Sequence, residues 1–191
     1  MRRVRFVAAV MLGTLAGTLL VAVFMLVAGG VRAYAIPSSA MEPTLRCSRP
    51  GEGCEGAHDD RVLVLAWGAR YQRRDIVAFK APPVAETKCG VGGTFVKRII
   101  GLPGEKVEIR LRSGAAFVYV DGRGLEEPYV DTSRRGSGPE QSFRVPEGGY
   151  FVLGDNRARS CDSRIYGPVS EEQLVGELFL TYWPASRVSF R

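Results

Sequence analysis

The chain has 191 residues, 46% of them apolar, enough for one packed domain plus a further segment and too many for a disordered chain. Its net charge of +6 is unevenly spread: residues 1–32 hold Arg2, Arg3, Arg5 and Arg32 and no acid, leaving 22 basic against 20 acidic groups beyond them. With that near-balance, and no Lys/Arg run interleaved with aromatics, no nucleic-acid interface is expected.

From Phe6 to Val31, 26 residues pass without a charge, more than the roughly 20 that span a bilayer. The alternative is a cleaved secretory signal, since Ala33-Tyr34-Ala35 has the small-x-small form of a cleavage site. Signal h-regions are shorter, about 7–15 residues, which favours a retained anchor. The arginines before the run put that end inside by the positive-inside tendency. The expected organisation is residues 1–5 as a cytoplasmic N-terminus, 6–31 as a transmembrane anchor and 32–191 as an extracytoplasmic domain. The protein is thereby expected in the cell membrane, single-pass.

Past the run lies "IPSSAMEPTL", Ile36 to Leu45, with two hydroxyls between two prolines. Cys47 and Cys54 bracket "SRPGEG", a loop short enough to close by a disulfide. Cys89 and Cys161 can pair only if the fold brings them together. Four cysteines suit an oxidising exterior, and their spacing makes no Cys-x-x-Cys metal site. The single histidine, His58, lies in a loop of Gly, Glu and Asp. It reads as solvated, so a hydrolase of this sequence needs a different general base.

Short runs rich in β-branched and aromatic residues follow: "RVLVLAW" (61–67), "DIVAFK" (75–80), "TFVKRII" (94–100), "KVEIRL" (106–111), "AFVYV" (116–120) and "YFVLGD" (150–155). Gly, Pro and Asp punctuate the gaps, as in an antiparallel β-rich domain. "RSGA" turns one strand into the next, and Asp121-Gly122 makes another turn. "DTSRRGSGPEQS" (131–142) reads as an exposed polar loop. "SEEQLVGELFL" (170–180) begins as a helical turn capped by Ser170 and ends as a strand. The expected fold is mostly β, on one N-terminal transmembrane helix.

Two of these segments carry candidate chemistry. On "TFVKRII", Phe95, Lys97 and Ile99 share a face because side chains alternate along a strand. A lysine among apolar neighbours is desolvated, and its lowered pKa suits it to take a proton from a hydroxyl. The ordinary alternative is a lysine that snorkels to water. "GDNRARSCDSRIYG" (154–167) offers Ser160 as a hydroxyl for an amine, with Asp162 and Arg164 as an ion pair fixing the loop. Alone it reads equally as a polar turn.

In this order after an N-terminal apolar run, "IPSSAMEPTL", "FVKRIIGLPGE" and "GDNRARSCDSRIYG" resemble the type I signal peptidases, membrane-bound serine endopeptidases with a Ser/Lys dyad. "DDRVLV" (59–64) and "RRDIVAFKAP" (73–82) look like that family's intervening segments, so the likeness spans nearly the whole chain. The family pattern Pro-Ser-x-Ser-Met-x-Pro-Thr-Leu laid over Pro37 to Leu45 puts its second serine at Ala40. The nucleophile position therefore holds a methyl group.

The resemblance implies Lys97 as general base, Ser38 as side-chain oxyanion donor beside the backbone N–H of Ala40, and Ser160 as the hydroxyl that orients the amine. Asp162 and Arg164 become the supporting pair. Ile36, Pro37, Met41, Leu45, Val62, Ala78, Phe95 and Val96 fall on the substrate-binding surface, with pockets for small side chains. The implied activity is signal peptidase I: removal of signal peptides from secreted preproteins at small-x-small sites, with no metal or organic cofactor.

Ala40 leaves three possibilities. The chain is an inactivated variant, a natural non-catalytic paralogue that binds signal peptides or assists an active partner, or an enzyme in which Ser39 substitutes. A shift of one residue re-aims a hydroxyl enough to destroy attack geometry, which weighs against the last. The insertion "RCSRPGEGCEGAH" between Leu45 and "DDRVLV" departs from the family pattern.

Overall fold

The computed structural model describes residues 13–15, 17–24, 29–66 and 70–191. The expected cytoplasmic residues 1–5 and much of the expected anchor lie outside them. Residues 13–15 and 17–24 are helical, with Leu15, Leu19, Leu20 and Phe24 exposed and Thr18 Oγ1 donating back to the Thr14 and Leu15 carbonyls. Among the described residues no helix is long and apolar enough to cross a membrane. Val31, the last residue of the uncharged run, already opens a strand.

Among the described residues twelve strands follow, in two antiparallel sheets. The larger sheet has the order β1-β2-β11-β3-β4-β9-β10, with β12 also paired to β11. Its strands are β1 (Val31–Ala35), β2 (Arg61–Leu65), β3 (Ile76–Lys80), β4 (Thr94–Gly101), β9 (Gly149–Leu153), β10 (Val169–Ser170), β11 (Leu174–Trp183) and β12 (Ser189–Phe190). The smaller sheet, order β7-β6-β5-β8, holds β5 (Lys106–Arg112), β6 (Ala115–Val120), β7 (Arg123–Gly124) and β8 (Gln141–Arg144).

The small sheet follows its turn chemistry closely. Ser113 and Gly114 have φ of 51° and 79°, and Asp121 and Gly122 have 48° and 78°. Two consecutive residues with positive φ make the tight turn whose twist matches a hairpin, so Arg112 faces Ala115 and Val120 faces Arg123. Behind them Val107, Ile109, Val118 and Val145 pack with Ile100, Phe151 and Leu153 of the large sheet. Each fully buried side chain of this size contributes about 1.5–3 kcal/mol.

Two further apolar clusters flank the large sheet. One joins Ile36, Met41 and Leu45 to Val62, Val64, Ile76, Ala78 and Leu178; the other joins Val77, Phe79, Ile99, Tyr150, Val152 and Val169. β4 serves all three, through Ile100, Val96 and the pair Phe95 and Ile99. The strand bearing Lys97 is thus held at every layer.

All six expected strands are present, and the capped turn at Ser170 is there as a 3-10 turn over Glu171–Gln173 leading into β11. The expected loop 131–142 needs correction at both ends. Thr132–Arg134 form a 3-10 turn capped by the Asp131 carboxylate, and Gln141 and Ser142 already pair with β5. Unanticipated elements are β1, helix α1 (Pro83–Cys89) and helix α2 (Ser163–Tyr166). Both disulfides form, Cys47–Cys54 and Cys89–Cys161, the latter tying α1 to the loop before α2.

Candidate active site

The segment "SSAM" folds as a 3-10 turn over Ser39–Met41, entered from an extended Ser38 with φ −127° and ψ 150°. The third motif holds it. The Asn156 backbone N–H donates to the Ala40 carbonyl at 3.1 Å, and the Asn156 side chain donates to the Ser39 carbonyl at 3.1 Å. At Gly154 a Cβ would collide with both the Ser160 hydroxyl and the Ala40 carbonyl oxygen. Only glycine lets the two loops approach this closely.

Ion pairs then fix the third motif to the sheet. Asp155, fully buried, accepts from Arg98 Nε at 2.8 Å and Nη2 at 2.6 Å and from Thr44 Oγ1 at 2.5 Å. Asp162 accepts from Arg164 Nε and Nη2, both at 2.8 Å, and from the Gly154 N–H at 3.1 Å. Arg157 forms a bidentate pair with buried Glu127 and donates to the Gly154 carbonyl. Bidentate carboxylate–guanidinium pairs lock orientation as well as charge.

Lys97 is 5% exposed. Its ammonium donates to the Val96 carbonyl at 3.2 Å and sits 5.2 Å from the centre of the Phe95 ring. Burial lowers its pKa from 10.5 to about 8, outweighing the nearby Asp162 and Asp155 carboxylates, which favour the charged form. Such a lysine is neutral in roughly a tenth of molecules at pH 7, far more than a solvated lysine.

Lys97 and Ala40 line one groove of about 380 Å³, together with Ile36, Pro37, Ser38, Met41, Phe95 and Val96. Eight of the expected site residues therefore meet. Leu45, Val62 and Ala78 do not reach the groove surface; they are fully buried in the cluster beneath Ile36 and Met41. Ser160 lines a neighbouring cavity with Arg164, and its buried hydroxyl has no hydrogen-bond partner among the described residues. Ser39 faces away: its hydroxyl donates to the Glu52 carbonyl at 2.8 Å, and it is absent from the groove wall. Its hydroxyl proton is committed to that carbonyl. His58 is exposed, tilted against Trp183 at 6.1 Å.

The backbone of the groove is as informative as its side chains. Thr94 to Lys97 pair with β3 on one edge only, because β9 begins its pairing at Arg98. Among the described residues β1 is the outermost strand of the sheet and pairs with β2 alone. Two open edges thus border the groove, one running into Ile36 and one ending at Lys97.

Groove residues with no sequence signal include Tyr34, Val91, Thr94, Arg49, Glu52 and Arg159. Arg49 and Glu52 come from the insertion, which closes over Glu42: the Glu42 carboxylate is fully buried and accepts from the Cys47 and Glu55 N–H groups. No cluster able to hold a metal ion occurs among the described residues.

A family model described as "Signal peptidase, peptidase S26" matches residues 7–183. "Probable signal peptidase I-2" of Synechocystis sp. is 35% identical over 175 residues, 86% of this chain and 71% of that protein. Signal peptidase IB of Staphylococcus aureus is 30% identical over 179 residues, 84% of this chain and 82% of that protein. A crystal structure of a signal peptidase I from Enterococcus faecalis V583 is 37% identical, covers 58% of this chain and 97% of its own, and superposes with a TM-score of 0.45.

Proposed function

The chain belongs to the peptidase S26 signal peptidases, and from that premise we propose that its groove binds the small-x-small end of signal peptides in a protease site disarmed at residue 40. The observation that carries this is the buried, pKa-lowered Lys97 in the same apolar groove as Ala40. The two open strand edges suit an extended peptide, whose backbone adds hydrogen bonds while alternate side chains enter the pockets. Ile36, Met41, Phe95 and Val96 supply the groove's apolar walls, which suit the small side chains this family accepts.

With a serine at position 40 the chemistry runs as follows. The neutral Lys97 amine takes the hydroxyl proton, and the oxygen bonds to the scissile carbonyl carbon. The oxyanion accepts from the Ser38 hydroxyl and the N–H of residue 40, which in the first turn of a 3-10 helix has no intrahelical acceptor. Each such donor is worth roughly 3 kcal/mol. The C–N bond then breaks, with the Lys97 ammonium giving its proton to the departing amine. A water, activated by the same lysine, hydrolyses the ester. As the chain stands, a methyl group cannot begin this sequence, and peptides are bound uncut.

The uncharged run from Phe6 up to the strand that opens at Val31 serves in this proposal as the membrane anchor, with the β-rich domain outside, where precursors emerge. The test is Ala40→Ser on a preprotein in detergent micelles. Cleavage after the small-x-small site that is lost again on adding Lys97→Ala supports the proposal. Failure of Ala40→Ser to cleave any preprotein, with no peptide binding by the parent chain, refutes it. Binding by the parent without cleavage by the serine variant favours the second possibility, a capture or assembly role independent of a latent protease.

A further inference from the structure

The groove is apolar where Ile36, Met41, Phe95 and Val96 line it, yet its rim carries two guanidinium groups and one carboxylate: Arg49, Arg159 and Glu52. Resting on the groove being a signal-peptide site, we infer that this rim selects an acidic substrate side chain flanking the scissile bond. Arg49 and Glu52 ride on the disulfide-closed insertion, and that loop is rigidly placed. The Cys47–Cys54 bridge closes it, Glu42 clamps it from below, and Ser48 donates to Asp59 at 2.7 and 2.8 Å. The Glu52 carbonyl is bound by the Ser39 hydroxyl, which puts the loop directly beside position 40.

Arg159 arrives from the opposite loop, on the 3-10 turn Arg157–Arg159 next to Ser160. Its side chain lies against Gly53, where a Cβ would stand 2.7 Å from Nη1, so the insertion and the third motif meet there. Arg49 has a loose partner in Glu52 at 3.6 Å, both more than half exposed. Arg159 has no carboxylate partner among the described residues. Lys97 is the one other ionisable cation lining the groove, and it is buried and in part neutral, so the accessible rim carries one net positive charge. β9 occupies the β4 edge from Arg98 onward, so a chain laid on that edge leaves it at Lys97, in the groove that Arg49, Glu52 and Arg159 also line. The residues that enter the apolar pockets are screened from the rim; their neighbours across the cut are not.

The experiment uses the full-length Ala40 chain in detergent micelles and peptides ending a signal sequence at a small-x-small site. Asp, Ala or Lys is placed in turn at each of the two residues on either side of the cut, sparing the pocket residue. At one or more positions the Asp peptide binds about fivefold tighter than the Lys peptide, the size expected of a solvent-exposed ion pair. The gap closes at high salt. Arg159→Gln levels the Asp-over-Lys preference and Arg159→Glu reverses it. Asp and Lys peptides that bind equally at every position overturn the rim assignment while leaving the groove assignment standing. Absence of all binding, together with no cleavage by Ala40→Ser, overturns both.

Discussion

Lys97→Met replaces a buried amine by an apolar side chain of similar length, and the structure sets the size of its effect. The amine is charged in the unfolded chain up to its ordinary 10.5 and in the folded chain only up to about 8. Because the folded value is the lower one, the unfolded chain binds the extra proton between those two pH values, and stability rises with pH through that window. At roughly 1.4 kcal/mol per pH unit the native lysine costs about 3 kcal/mol at pH 7 and about half of that at pH 9.5. Lys97→Met is therefore stabilised over the parent by about that much at pH 7, and the advantage roughly halves by pH 9.5. Denaturant unfolding of the two full-length proteins at both pH values reads the difference directly. A gap that does not change with pH, or a variant less stable at pH 7, refutes the view that burial disfavours the charged form of this amine.

In the Ala40→Ser background, kcat/KM for a preprotein falls about tenfold per pH unit below about 8, as the Lys97 amine takes up its proton; a profile flat from pH 6 to 9 contradicts this. Asp155→Asn strands the Arg98 guanidinium in a buried site and lowers stability by about 3–5 kcal/mol, measured by denaturant unfolding. Gly154→Ala forces the third motif away from the Ser39–Met41 turn, costing about 1–3 kcal/mol in the same assay and more in Ala40→Ser activity. Replacing Cys47 and Cys54 by alanine opens a loop of sequence separation 7 and lowers the melting free energy by about 2 kcal/mol.

The strands of this protein were legible wherever alternation and turn chemistry agreed. "KVEIRL", "RSGA" and "AFVYV" gave a hairpin because Ser113 and Gly114 accept the positive φ that its turn needs. β1 was hidden because "VRAYA" merges with the apolar run before it, and its pairing with β2 is a long-range choice that no local pattern encodes. α1 was hidden by Pro82 and Pro83, which mark a loop as readily as the first turn of a short helix. Lys97 stood out by its apolar face, and its role came from the resemblance. The rim was invisible for a physical reason: an arginine in a polar loop looks solvated until the fold shows what lies beside it. Leu45, Val62 and Ala78 show the converse, since apolar residues near a pocket in sequence became its foundation.

β4 has a mechanical consequence. Its far part passes to β9, with Arg98 paired on both sides and Ile99 and Ile100 fully buried, while its near half, Thr94 to Lys97, pairs with β3 alone and leaves one side bare. The same ribbon is thus a girder at one end and a landing rail at the other, and the amine stands where the two meet. Force or strain from an arriving chain is delivered to a strand whose next residues, Ile99 and Ile100, are rooted in two core clusters, so the reacting geometry can stay fixed while the visitor does the adjusting.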